Sequence, residues 1–248
     1  MLEFNKLLES IAQKVGIKYE PFYPIDSMTR TVQFYDTSEE TLRKNRLIFR
    51  IRQVRQGGWP DDSFEVTFKA RAKDRDEVAK FDSSSSFPSQ QKLKFKEEIL
   101  IDNAPGTISY IYSNNCILES PQLNVEIPLS KLAAAFPHIG SLGLNMDETL
   151  SIVKGAKVFE IEAKLGNLYF GHHITAPATL AVWARLVTDN FEPLIAEFGW
   201  SYHPVDDDKG KEADKNADRF FKDVQLPLAD WISEGTTKTA LIYGDKGA

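Results

Sequence analysis

Four stretches of this 248-residue chain carry a charged or polar side chain at every second position. In Ile48-Phe49-Arg50-Ile51-Arg52, two guanidinium groups share one side of an extended segment, and Phe49 and Ile51 share the other. In Phe64–Arg71, Glu65, Thr67, Lys69 and Arg71 oppose Phe64, Val66 and Phe68. In Lys92–Ile99, Lys94, Lys96 and Glu98 oppose Leu93, Phe95, Glu97 and Ile99. In Val158–Leu165, Glu160, Glu162 and Lys164 oppose Phe159, Ile161, Ala163 and Leu165. The pleat enforces this separation, because successive side chains of a strand leave opposite faces. Guanidinium and ammonium groups gathered on one surface clamp phosphate oxygens, and neighbouring carboxylates suit a hard cation such as Mg²⁺ or Mn²⁺.

Two arrangements of these faces compete. Half-buried antiparallel sheets usually keep an apolar face on a core and a charged face in water. The other arrangement turns the charged faces to an interior, with helices covering the apolar outside. Unpaired charges in an interior cost several kcal/mol each, so such a lumen makes sense only when a polyanion and a divalent metal balance it. The apolar stripes of residues 4–15 and 177–198, which must dock on something apolar, favour the second.

The elements that must position these residues follow from periodicity. Phe4, Leu7, Leu8, Ile11 and Val15 are spaced as an amphipathic helix closed by Gly16. Strands are expected at Thr31–Tyr35, Leu47–Val54, Phe64–Arg71 and Leu93–Ile101, with shorter ones at Ile108–Tyr112, Leu123–Ile127 and Thr149–Val153. The serine run 83–86 reads as a mobile surface loop. A helix is expected at Leu129–Phe136. Gly166-Asn167 reads as the two-residue turn of a hairpin joining Lys157–Leu165 to Leu168–Ile174. Leu180, Trp183, Val187, Phe191, Leu194, Ile195 and Phe198 keep a three-four spacing that reads as helix, with Trp183 and Phe191 as core residues. A further helix is expected at Ala213–Val224, and the last fifteen residues read as a poorly ordered tail. Together these suggest an α+β fold, a β-barrel of eight or so mostly sequential strands or a strongly curved sheet, with flanking helices, as one domain over residues 1–225 and a tail over 226–248.

Composition removes several function classes. The net charge of −6 argues against a general binder of nucleic acid or anionic membranes. No apolar run approaches the ~20 residues that span a bilayer, and the first residues lack a signal-peptide layout, so a cytoplasmic protein is expected. The single cysteine, Cys116, excludes a disulfide framework and has no cationic context that would make it a nucleophile. Adjacent His172 and His173 would point to opposite faces of a strand, which disfavours a paired metal site. Asp206-Asp207-Asp208 lacks the glycine and closing glutamate of a calcium loop and reads as a solvated segment.

Tyr35-Asp36-Thr37, Leu42-Arg43-Lys44-Asn45, Phe49-Arg50-Ile51-Arg52, Val66-Thr67-Phe68-Lys69 and Lys96-Glu97-Glu98 together resemble the CYTH superfamily, the triphosphate tunnel metalloenzymes. The resemblance covers roughly residues 31–100. It implies an eight-stranded antiparallel tunnel that binds a triphosphate with divalent metal. By the family's logic Glu160 and Glu162 hold metal with Glu98 as a third carboxylate. Arg50, Arg52, Lys69 and Lys96 grip phosphates, Lys164 does so from the acidic strand, and Arg71 and Lys94 are further candidates. The family's opening Glu-x-Glu-x-Lys is absent from residues 1–30, and a copy stands instead at Glu160-Ile161-Glu162-Ala163-Lys164. Either the strand order is permuted, or this is a late acidic strand and the opening one has been lost.

The resemblance therefore implies a metal-dependent phosphohydrolase acting on inorganic triphosphate, thiamine triphosphate or a nucleoside or RNA 5′-triphosphate. The alternatives are a catalytically degenerate module that binds polyphosphate or nucleotide, a class IV-type adenylyl cyclase, and a protein-interaction domain with an apolar core and charged exterior. The sequence does not name the group attached to the triphosphate, nor the oligomeric state.

Overall fold

A computed structural model describes residues 1–87, 90–102, 104–120, 127–171, 174–187, 190–233 and 236–244. The strands are β1 (Lys18–Asp36), β2 (Leu47–Gln56), β3 (Trp59–Pro60), β4 (Phe64–Ala72), β5 (Gln91–Ile101), β6 (Ile108–Ser120), β7 (Ile127–Pro128), β8 (Thr149–Ile152), β9 (Val158–Tyr169), β10 (Thr175–Val187) and β11 (Asn190–Trp200). The helices are α1 (Leu2–Val15), α2 (Thr41–Lys44), α3 (Arg75–Ala79), α4 (Leu129–Ala135), α5 (Asp208–Gln225) and α6 (Lys238–Tyr243). The chain divides into two compact units, one of Met1–Thr29, Ile101–Ile108 and Glu160–Gly235, the other of Arg30–Leu100, Ser109–Phe159 and Thr236–Ala248.

The second unit carries strands in the order β1-β2-β4-β6-β5, with β3 on β2, β8 on β1 and β7 on β8. β2 and β6 both pair antiparallel to β4. Phe49, Ile51, Val66, Phe68, Cys116 and Leu118 leave one face of these strands and pack with Leu129, Leu132, Phe136 and Ile139 of α4 and the turn after it. The alternation expected for β2 and β4 is thus realised, with the apolar half of each strand in the core. At β5 the apolar half behaves otherwise: Leu93 and Phe95 are exposed, and the strand order ends there.

The serine run is a fastened loop and not a mobile one. Ser83 and Ser85 are buried. Ser83 Oγ donates to Asn114 Oδ1 at 3.0 Å, Ser85 Oγ donates to the Ala135 carbonyl at 2.9 Å, and the Ser86 amide donates to that carbonyl at 2.9 Å. The Ser85 hydroxyl and the Ser86 amide satisfy the orphan carbonyl at the end of α4, a role that composition alone does not reveal. Nor is the chain's end wholly a tail, since α6 forms and buries Ile242 and Tyr243.

In the first unit the strand order is β11-β10-β9-β1. Leu8, Ile11 and Ala12 of α1 and Ala213, Ala217, Phe220 and Val224 of α5 pack with Ala163, Leu165, Leu168, Ala176, Ala178 and Leu180. Neither unit's strand order closes on itself among the described residues, so a barrel is not established; the observed class is α+β with a large antiparallel sheet and flanking helices.

Three expectations are corrected here. The described residues of 177–198 are not helical but belong to the antiparallel pair β10–β11. Ala176, Ala178 and Leu180 alternate on one face, and then Ala181 and Trp183 are the buried pair. That one-residue change of phase, together with the bulge between Trp183 and Ala184, imitates a three-four spacing. Pro193 falls where the register jumps, on the last strand of the order, where a missing N–H is tolerated. Trp183 is buried as expected, but Phe191 is exposed. Gly166-Asn167 is no turn: β9 runs through it. A Cβ at Gly166 would lie 2.3 Å from the Glu20 carbonyl oxygen and 2.8 Å from Pro21 Cα, so glycine is required there for close backbone approach. Finally, β1 begins at Lys18 rather than Thr31. His172 and His173, and residues 123–126 of the strand expected at Leu123–Ile127, lie outside the described residues.

Candidate functional site

Register decides which charged groups meet. Across β2 and β4, Arg50 is opposite Thr67 and Arg52 opposite Glu65. Across β4 and β6, Lys69 is opposite Asn115 and Arg71 opposite Ser113. Directly opposed residues share a face, so Arg50, Arg52, Glu65, Thr67, Lys69, Arg71, Ser113 and Asn115 form one polar surface behind the phenylalanine core. Glu98 reaches it from β5.

This surface is sheltered from water. The side chains of Arg50, Arg52 and Arg71 are 17%, 15% and 13% exposed. Thr67, Ser113 and Asn115 are buried. Arg50 Nη2 donates to Thr67 Oγ1 at 3.1 Å, and Arg52 Nη1 lies 3.3 Å from Glu65 Oε1. Arg71 Nη2 donates to Glu98 Oε2 at 2.6 Å, and Ser113 Oγ donates to Glu98 Oε1 at 3.0 Å. Asn115 Nδ2 in turn donates to Ser113 Oγ at 3.0 Å and to the Lys94 carbonyl at 3.0 Å, tying β6 to β5. The Nε of Arg71 is buried and has no hydrogen-bond partner among the described residues. Lys94 and Lys96 are exposed at the margin.

Electrostatics follows from this crowding. Burial pushes the Lys69 ammonium down to about 7; the attraction of Glu98 works against this, and repulsion from Arg71, Arg50 and Lys96 works with it. Burial alone would push Glu98 up, but Lys69, Arg71, the Ser113 hydroxyl and Lys96 together hold it below its ordinary value. Lys96 is lowered by burial, with Lys94, Arg50 and Arg52 acting in the same direction against Glu98. A group of cations that depress one another's protonation is a surface short of negative charge.

The segment Tyr35-Asp36-Thr37 serves a different end. The Asp36 carboxylate accepts the amides of Thr37 and Leu42 at 2.8 Å and of Arg43 at 3.0 Å, and the Tyr243 hydroxyl at 2.9 Å. It caps α2 and fastens α6. Arg43 lies 2.8 Å from Glu40 and sits over the Tyr243 ring. Cys116 is fully buried, and burial pushes its thiol up, away from nucleophilic use.

Glu160, Glu162 and Lys164 all stand on β9 and belong to the first unit. Glu160 is fully buried and accepts the Trp183 indole N–H at 2.7 Å. Glu162 is partly exposed, and Lys164 is exposed with its ammonium 3.6 Å from Asp26. A Mg²⁺ or Mn²⁺ ion would need hard oxygens converging on one point. Both Glu98 oxygens already accept hydrogen bonds, Glu65 faces Arg52 and Arg50, and Glu160 holds Trp183. Among the described residues no three acidic, histidine or cysteine side chains gather to hold a metal. The donor set as placed does not fit a divalent ion held by the protein alone.

The sequence brings Arg50, Arg52, Lys69, Arg71 and Glu98 into view, and the register joins them. It gives no hint of Ser113 and Asn115, because the strand there was read as ending at Tyr112. The signal that would have found them is the continued period of two, Ser113 and Asn115 alternating with Asn114 and Cys116.

No family model and no curated protein matches the sequence. Among solved structures, the chain is similar to a Hippeastrum protein described as an adenylyl cyclase candidate with a dominant triphosphatase activity, at 11% identity and TM-score 0.41 over 97% of this chain and 89% of the other. It is similar to a Bacillus halodurans protein described as a candidate adenylate cyclase, at 11% identity and TM-score 0.40 over 97% and 92%. A Pyrococcus horikoshii protein matches at 12% identity and TM-score 0.31 over 86% and 81%. No helix among the described residues is long and apolar enough to cross a membrane.

Proposed function

We propose that the polar sheet face of the second unit binds the triphosphate group of a small molecule, and that the protein acts on that phosphoanhydride as a phosphohydrolase of CYTH type. One observation carries the reading: Arg50, Arg52, Lys69 and Arg71 crowd one sheltered face, with the carboxylates of Glu65 and Glu98 among them and Glu119, opposite Glu65 on β6, exposed at the margin. Guanidinium groups with planar donor forks, shielded from bulk water, suit phosphate oxygens better than any neutral ligand. Thr67 orients Arg50, while Glu65 orients Arg52, so the cations wait in place and little entropy is lost on binding. Inorganic triphosphate, thiamine triphosphate and nucleoside triphosphates share the chemistry this face recognises.

Calorimetry with tripolyphosphate tests the binding. Arg50→Ala and Arg52→Ala should each weaken it about tenfold or more, as loss of a charge-assisted hydrogen bond demands. Unchanged affinity in both variants would refute the assignment of the face. Products formed from tripolyphosphate, thiamine triphosphate and ATP, with Mg²⁺ or Mn²⁺ present and absent, then decide the chemistry. Phosphate release identifies the hydrolase, cyclic AMP a cyclase, and binding without product a phosphate-binding module.

A further inference from the structure

We infer that the oligophosphate site of the second unit is a metal-free anion site, in which Glu98 is a built-in counter-ion to the cations and not a metal ligand. The inference rests on the phosphate-binding reading above and deepens it. The Glu98 carboxylate is locked from two sides, by Arg71 on one oxygen at 2.6 Å and Ser113 on the other at 3.0 Å. Ser113 is itself fully buried and fixed by Asn115, which also holds the Lys94 carbonyl, so the lock is part of the β5–β6 framework. A carboxylate that serves a metal needs further hard ligands beside it; here Arg71 and Ser113 occupy one acceptor position on each oxygen, and among the described residues no two other acidic, histidine or cysteine side chains gather with Glu98. Glu65 is turned to Arg52 and Arg50, and Glu119, opposite it on β6, is exposed.

Charge makes the same point. With Arg50, Arg52, Lys69 and Arg71 on the face and Lys94 and Lys96 at its margin, set against Glu65, Glu98 and Glu119, the cations outnumber the carboxylates, and an oligophosphate neutralises the surplus unaided. A divalent ion bound to the phosphates removes negative charge from the ligand and so competes with the arginines. Glu98 keeps Arg71 ordered while no ligand is bound and repels the phosphates once they arrive.

The test needs the full chain and tripolyphosphate as probe. Calorimetric titration of the wild-type protein in EDTA and in excess Mg²⁺ should give binding in EDTA that is as tight as in Mg²⁺, or tighter. Binding at least tenfold tighter in Mg²⁺, or seen only there, would overturn the inference while leaving the phosphate-binding reading intact. Absence of binding in either buffer would refute that reading itself. Glu98→Gln, which keeps the shape and an acceptor oxygen, supplies an independent sign. Removing one negative charge about 8–10 Å from a phosphate at an effective dielectric of ~20 should tighten binding roughly fifteen- to thirtyfold. If Glu98 ligates metal, the same substitution must weaken Mg²⁺-dependent binding, and a tenfold loss would sink the counter-ion role.

Discussion

Lys69 makes the proposed site sensitive to pH, and the size and sign of the effect can be worked out. Burial and neighbouring cations bring its ammonium down to about 7 in the ligand-free protein. At pH 8.5 the free protein therefore holds Lys69 neutral by about thirty to one. A bound phosphate restores the proton, because an anion beside the amine favours the charged form. Binding above pH 7 must then take up close to one proton, and log Kd should rise toward one unit per pH unit. The contact at stake is a charge-assisted hydrogen bond worth about 1.5–3 kcal/mol, so the total loss is roughly 10- to 150-fold. The rise should flatten about one to two units above the free-state value, where Lys69 becomes neutral even with ligand bound. Ligand-free stability runs the other way. Between about 7 and the ordinary value of 10.5 the unfolded chain carries a proton that the folded chain lacks, so Lys69's contribution to stability grows as pH rises.

Calorimetry of tripolyphosphate binding at pH 8.5, in two buffers of different ionisation enthalpy, counts the protons directly. Tripolyphosphate titrates too, so the informative quantity is the difference between wild type and Lys69→Arg, whose guanidinium stays charged. The variant should lose the uptake and most of the pH slope. Identical proton uptake in the two proteins would refute the argument, because Lys69 would then be charged throughout or remote from the ligand.

Two further outcomes probe the frame that holds the face. Tyr243→Phe removes the hydroxyl that donates to buried Asp36 at 2.9 Å, and should lower the free energy of unfolding by about 1–3 kcal/mol in urea titration; an unchanged midpoint would mean that α6 is not fastened there. Gly166→Ala places a methyl group 2.3 Å from the Glu20 carbonyl oxygen, where only backbone can yield, and should cost about 1–3 kcal/mol or more by thermal unfolding; an unaltered melting temperature would argue that β9 and β1 lie farther apart.

How much of this was legible depends on which physical signal each segment carries. β2 and β4 are readable because one face is phenylalanine, isoleucine and valine and the other is charged, so the period of two is unmistakable. β10 and β11 are not, because a bulge at Trp183/Ala184 breaks the phase and the remaining apolar residues fall on helical spacing by coincidence. The first half of β1 is mostly exposed and contains Pro21 and Pro24, so it lacks both alternation and β propensity. Gly166-Asn167 has turn chemistry, yet glycine answers equally to close strand approach, and only the neighbouring Glu20 and Pro21 backbone distinguishes the two. Asp36 was read only as part of a run that resembles the CYTH pattern, and its oxygens cap α2 and hold Tyr243. A partner 207 residues away in sequence leaves no local trace.

The cationic face and the core behind it are set by one and the same register. Phe49 opposite Phe68 and Ile51 opposite Val66 fix β2 on β4, and the same pairing puts Arg50 opposite Thr67 and Arg52 opposite Glu65. A slip of one residue would bury two arginines among phenylalanines and turn the apolar residues to the polar side, an exchange costing far more than the few kcal/mol by which domains are stable. The phosphate-facing groups are therefore held by hydrophobic packing more than by their own mutual contacts, in which Arg71, Arg50 and Lys96 repel Lys69 while Glu98 attracts it. This is why a surface so rich in like charge survives without ligand: the core supplies the stability, and Glu98 and Glu65 need only soften the repulsion. It also separates two kinds of change. Neutralising a cation should weaken phosphate binding while leaving the fold unharmed or more stable, whereas trimming Phe68 should unfold both, since the fully buried ring that fixes the register lies directly behind the charges.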